Sequence, residues 1–139
     1  MSSEPTVLSV MLIVPDAAEA IRWYEQALGA TVMWDLGGVA GLAVDGSAFF
    51  LHETNPANPT ESSPGEIGGT STRIEVFVED PDAVIDRAVR AGAPSSHQPV
   101  DHETPWGRHR QGGFVDPFGH VWSVGDRSPL NPARAADRA

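Results

Sequence analysis

The chain contains no cysteine and no lysine. Without cysteine it has no disulfide, no thiolate nucleophile and no cysteine-based metal site. Without lysine it has no Schiff-base chemistry and no phosphate-loop lysine. Its nine basic residues, all arginine, face 19 acidic ones, for a formal net charge of −10. Phosphate backbones and anionic lipids need clustered positive charge, so neither a nucleic acid nor a membrane surface is an expected partner. The longest apolar run, Val7 to Val14, is interrupted by Ser9 and is too short to span a bilayer. The N-terminal MSSEPT carries no secretory-leader pattern, and a cytoplasmic location is expected. There is also no Gly-x-Ser-x-Gly elbow and no dinucleotide fingerprint.

What is present suits one compact domain: 139 residues, 40% of them apolar. Val7 to Val14 reads as a strand, with Leu8, Val10, Leu12 and Val14 on one face and Ser9, Met11 and Ile13 on the other. Asp16 is an N-cap for a helix whose Ala17, Ile21, Tyr24 and Leu28 recur at helical spacing, and Gly29 stops it. Three strands follow: Ala30 to Leu36, Ala40 to Val44 and, after the Asp45-Gly46 turn, Ser47 to His52. A polar stretch to Ser71, rich in Pro, Gly, Ser and Thr, is either a floppy connection or a crossover that places two halves or lies over a pocket.

Thr72 to Val78 is the next strand, Asp80 and Pro81 open a second helix, and Gly92 closes it. Beyond lie a short strand around Gln98 to Asp101, a loop to Trp106 and a strand from about Arg108 to Val115. An Asp-Pro-Phe-Gly turn leads into a last strand ending at Val124. From Arg127 the chain reads as a loosely attached polar tail.

The halves repeat. Val14, Asp16 and Ile21 recur 64 residues later as Val78, Asp80 and Ile85, and each helix ends in Gly-Ala. Two copies of a strand-helix-strand-strand-strand unit define an α+β fold, two βαβββ modules forming curved mixed sheets around a shared cleft. Module one covers 6–53, a linker 54–71, module two 72–125 and a polar tail 126–139.

The paired modules, the WYEQALGA helix end (Trp23 to Ala30), Trp106-Gly107 and the DPFGHVWSV hairpin (Asp116 to Val124) together resemble the vicinal oxygen chelate superfamily. The chain is most similar there to PhnB-like glyoxalase/bleomycin-resistance proteins. The resemblance implies a pseudo-twofold cup, often completed or swapped across a homodimer. It also implies four places where metalloenzymes of this fold keep His or Glu ligands. By position these fall here on Ser9, Phe50, Arg73 and Ser123. Two hydroxyls, a phenyl ring and a guanidinium are a poor donor set for a divalent ion, and Arg73 repels one. No cofactor is therefore expected. His52, with Glu53, Glu75 and Glu103 as carboxylates, leaves an atypical metal site as the lesser alternative. His97, His102, His109 and His120 read as loop or strand-end residues, and His120 as structural or surface-exposed.

The strand face turned away from the helices should line the cup. Its expected ligand-binding residues are Ser9, Met11, Phe50, His52, Arg73, Glu75, Phe77 and Ser123, with Trp34 or Trp106 flanking and Trp106 preferred. Arg73 and Glu75 point the same way and either neutralise each other or hold a polar ligand group. The function expected is metal-independent binding of a small drug or metabolite. The alternatives are a lyase, isomerase or dioxygenase using an atypical metal or acid–base residues such as His52 or Glu75, and an interaction module. No catalytic residue is singled out.

Overall fold

The computed structural model describes residues 3–133. Its first module runs β1 (Met11–Val14), α1 (Ala17–Leu28), β2 (Thr31–Asp35), β3 (Val39–Val44) and β4 (Ser47–Glu53). After a short helix, α2 (Pro64–Ile67), the second runs β5 (Arg73–Phe77), α3 (Pro81–Arg90), β6 (Ser95–Thr104), β7 (Gly107–Val115) and β8 (Val121–Gly125). Each module folds into a four-stranded mixed sheet, ordered β1-β4-β3-β2 and β5-β8-β7-β6, whose first strand pairs parallel to the last. The repeat holds in register: Met11 stands opposite Phe50, and its counterpart Glu75 opposite Ser123.

Both helices start where their caps place them. Asp16 accepts the Glu19 N–H at 3.0 Å and Asp80 that of Ala83 at 3.2 Å. Gly29 closes α1 in the left-handed region at φ 67°. The helices pack on each other through Trp23, whose indole N–H donates to the Ala91 carbonyl at 3.0 Å. Leu12, Val14, Leu42 and Leu51 from sheet one join Phe114, Trp122 and Val124 from sheet two in one buried core around α1 and α3. The opposite face of each sheet is turned away from that core.

The joint between modules is the Asp-Pro-Phe-Gly-His turn. Asp116 is 3% exposed, a buried carboxylate that needs every lone pair satisfied. One oxygen accepts the Phe118 and His120 N–H groups at 3.0 and 2.9 Å. The other accepts the Trp122 indole at 2.9 Å and, from the first module's helix, the Tyr24 hydroxyl at 2.5 Å. Burial, and then the adjacent Asp116 charge, push the Tyr24 hydroxyl well above its usual pKa, so it stays a donor. His120 reaches back to the first module: Nε2 donates to the Ile13 carbonyl at 2.8 Å, and the ring is buried, a structural role.

Four local expectations are corrected. The first strand begins at Met11, not Val7, because its pairing with β4 starts at Met11–Phe50; Leu8, expected on the helix-packed face, is 97% exposed. The strand expected near Gln98 to Asp101 runs from Ser95 to Thr104, and a tight turn, closed by the Thr104 hydroxyl on the Gly107 carbonyl, replaces the loop. Pro99 does not break β6, because an edge strand does not need its N–H. Between the modules, Ser63 and Glu66 form a capping-box contact that orders α2, and Pro64 packs against the Gly119 turn. Lastly, the start of the tail is docked: Ser128–Leu130 forms a 3-10 turn tied to Trp106. Residues 134–139 of the expected tail lie outside the described residues. No described helix is long and apolar enough to cross a membrane.

Candidate functional site

The outward face of sheet one is apolar and aromatic. Met11, Phe50, Gly41 and Trp34 lie in register across all four strands. Directly paired residues share a face, so these four share the outer one. The Trp34 and Phe50 rings pack at 5.9 Å. Gly41 makes this contact, since a Cβ there would stand 2.7 Å from the Trp34 indole. Met11 and Trp34 remain 44% and 37% exposed.

The next row along pairs Ile13 with His52. His52 Nδ1 lies 2.7 Å from the Glu53 carbonyl, which can only accept, so Nδ1 donates there. Met11, Ile13 and His52 form one wall of a hollow of about 270 Å³; Asn55, Asn58 and Glu61 form another. A second hollow of about 280 Å³ shares Ile13 and Glu61 with it and reaches His120 and Pro64. The connecting segment therefore lines both hollows beside β1.

The outward face of sheet two is polar. Arg73 and Glu75 form a salt bridge at 2.5 Å, with the guanidinium side chain 56% exposed. Opposite Glu75 is Ser123, 1% exposed, whose hydroxyl accepts from the Gln111 amide at 2.5 Å. Phe77 is half-buried opposite Gly125. His97 and Ser96 lie over Gly113 as Trp34 lies over Gly41, with His97 Cε1 2.8 Å from a Cβ built there.

The expected residues thus fall into separate groups. Met11, Phe50 and His52 share the face of sheet one, with Ser9 at its margin, its hydroxyl donating to the Ala48 carbonyl at 2.6 Å. Arg73, Glu75, Phe77 and Ser123 share the face of sheet two. Trp106 stands in the β6–β7 turn, its indole N–H donating to Ser128 Oγ at 3.0 Å.

His97, His102 and His109, read from sequence as loop or strand-end residues, lie within β6 and β7. His109 escaped sequence reasoning. Its ring is 7% exposed, and Nδ1 lies 2.7 Å from Asp126 Oδ1. Burial alone would raise the Asp126 carboxyl, but hydrogen bonds from the Arg110 N–H, Ser128 and His109 outweigh it and hold the group well below the usual carboxylate range. The available signals were Gly125 and Gly113 inside strands, which announce a close approach but not what approaches.

The four positions that would hold a metal do not fit one. Two are hydroxyls already bonded within the chain, one is a phenyl ring and one a guanidinium. Among the described residues no group of three or more His, Asp or Glu is arranged to hold an ion.

This geometry belongs to a defined class of protein: two pseudo-equivalent βαβββ modules, each offering an open sheet face. The chain belongs to the glyoxalase/bleomycin resistance protein/dioxygenase superfamily, whose family model matches residues 6–124. It is 36% identical over 126 residues to an uncharacterized Mycobacterium bovis protein, Mb0911c, covering 85% of this chain and 81% of the relative. Among solved structures it is similar to TioX from Micromonospora sp. ML1, with a TM-score of 0.69 and 24% identity over 88% of this chain and 98% of that one. It is also similar to the fosfomycin resistance protein FosX from Mesorhizobium loti, with a TM-score of 0.62 and 14% identity over 89% and 93%. At these identities the structural likenesses establish the fold.

Proposed function

We propose that this chain binds a small, largely apolar drug or metabolite in a cup walled by the two kinds of open sheet face, with no divalent metal at the four family positions. The observation that carries this reading is the exposed Met11–Phe50–Trp34 face beside the His52 hollow. Ligand pockets are built this way, mostly apolar with a few placed polar groups, here His52, Glu75 and Ser123. The resistance function printed for FosX supports a drug-like ligand as one class. Two copies complete the cup: the face of sheet one stays exposed in one chain, and homodimers cover such faces. The DPFGH-Val-Trp hairpin supports a place among PhnB-like members.

A thermal-shift screen against a small-molecule library tests the reading. Ligands that raise the melting temperature should lose that effect in Phe50→Ala and weaken in Arg73→Ala. Unchanged shifts in both variants would move the site elsewhere. Metal analysis of the purified protein should find no stoichiometric divalent ion; one that disappears in His52→Ala would overturn the metal-free part.

A further inference from the structure

Glu61 is the one charged residue that both hollows beside β1 share. It stands on the segment joining the modules, in a turn closed by its own N–H on the Asn58 carbonyl at 3.2 Å and followed by the buried Ser63. Its Oε1 accepts from the Asn58 amide at 3.3 Å, a long contact that leaves most of the carboxylate's accepting capacity unused. The residues lining the two hollows include no arginine, and the chain has no lysine to offset this charge. The histidines there are directed elsewhere: His120 Nε2 to the Ile13 carbonyl at 2.8 Å, His52 Nδ1 to the Glu53 carbonyl at 2.7 Å. Glu53, the other carboxylate of the His52 hollow, is already engaged. It accepts the Ala17 N–H at 3.2 Å, where the positive end of α1 offsets its charge.

The hollow opens onto the apolar row of the same sheet. Met11 lines the hollow and stands opposite Phe50, whose ring packs on Trp34 at 5.9 Å. Ile13 and His52 stand two residues further along the same two strands, about 7 Å from that row. A ligand lying along β1 and β4 therefore meets an aromatic wall at one end and the Glu61 carboxylate at the other. A carboxylate only accepts and carries negative charge, so the group that suits it best is a charged donor. A neutral hydroxyl meets half of that demand, and a second carboxylate meets none of it.

We propose that Glu61 selects ligands that carry an alkyl-ammonium group about 7 Å from an aromatic body. The proposal rests on the cup reading above and names the class of ligand its sheet-one wall takes. The chain's net charge of −10 draws such cations in from solution, and Glu61 gives them a place to dock.

The test uses tryptamine, tryptophol and indole-3-propionate, which share an indole and differ in the charge at the end of the side chain. Affinities are read from methyl carbon-13 spectra at about pH 8, where free imidazole is neutral and an alkyl-ammonium is charged. The Met11 and Ile13 methyl signals should move on binding, since both residues line the hollow. Wild type should bind tryptamine about fivefold tighter than tryptophol, the upper range of a solvent-screened charge pair, with indole-3-propionate weakest. In Glu61→Gln that ratio should fall to about one. Asp45→Asn, the same charge change in the turn at the opposite end of β4, should keep it. Phe50→Ala should weaken all three probes and leave the ratio unchanged. Equal binding of tryptamine and tryptophol by wild type overturns the proposal, and the cup reading stands if Phe50→Ala weakens both. An equal fall of the ratio in Asp45→Asn and Glu61→Gln also overturns it, because overall charge then accounts for the preference. Methyl signals that stay put, or affinities untouched by Phe50→Ala, sink the cup reading and the proposal with it.

Discussion

On sheet one Met11 stands opposite Phe50, and on sheet two the matching pair is Glu75 opposite Ser123. The topologies are the same and the registers match, yet one face is apolar and the other polar. Toward the core no such contrast exists: Leu12, Val14 and Leu51 on one side and Trp122 and Val124 on the other are all buried and apolar. The core faces answer to packing, which tolerates little polarity. The open faces are free of that demand, and there the modules have diverged. One feature survives on both, a strand glycine with an edge-strand side chain laid over it: Gly41 under Trp34, Gly113 under His97. The proposed cup, with one wall of each kind, suits a ligand that is apolar at one end and hydrogen-bonding at the other.

The comparison holds only while both modules share one core, and Asp116 is the residue to break. Asp116→Ala strands the Tyr24 hydroxyl, the Trp122 indole and two backbone N–H groups, each a buried donor worth 1 to 3 kcal/mol when unpaired. A loss of about 4 kcal/mol is expected once some of them relax toward water. Because the contact joins α1 to the second module, denaturant curves read by circular dichroism and by tryptophan fluorescence should shift together. Two separate transitions would show that the modules fold as independent units.

The glycines give a matched pair. At Gly113 an added methyl group meets the Trp122 carbonyl oxygen at 2.6 Å, a backbone atom that cannot swing aside. At Gly41 it meets the indole of Trp34, a partly exposed side chain on an edge strand. Gly113→Ala should therefore cost about 3 kcal/mol and Gly41→Ala about 1 kcal/mol. The ranking for ligand binding should reverse if the aromatic wall matters more, because only Gly41→Ala displaces Trp34 from Phe50. Equal melting temperatures for the two variants would mean that the backbone around Gly113 adapts as easily as a free side chain.

Much of this was legible in the sequence, for physical reasons. Caps and helical spacing placed α1 and α3, and the Val-x-Asp repeat exposed the modular plan, because these signals are local or periodic. That Met11 shares a face with Phe50, and Glu75 with Ser123, followed from strand alternation. What stayed hidden depends on contacts between distant residues. Tyr24 meets Asp116 across 92 positions, and His109 meets Asp126 across 17 with no spacing rule to announce it. The start of β1 was misplaced because Val7 and Leu8 have strand composition but no partner strand beside them. The length of β6 was underestimated because a single sequence does not show which strand is the edge, where Pro99 is tolerated.

The smallest expected effect separates the modules at their ends. Glu53 and Asp126 occupy the residues just past the outward-face pairs His52 and Gly125, and both accept backbone N–H groups: Glu53 that of Ala17 at 3.2 Å, Asp126 that of Arg110 at 2.8 Å. The Asp126 carboxyl is held well below the usual carboxylate range, since its hydrogen bonds outweigh burial. A carboxyl depressed in the folded state stabilises the protein above its unfolded value and loses that contribution as pH falls through the folded one. Asp126→Asn should thus cost about 1 kcal/mol at neutral pH, the scale of one net hydrogen bond because the amide oxygen can still accept, with the difference from wild type closing below the ordinary carboxylate range. Melting temperatures of both proteins from neutral to strongly acid pH would show it as converging curves. Parallel curves would mean that the 2.7 Å contact with His109 does not depend on the charge of Asp126.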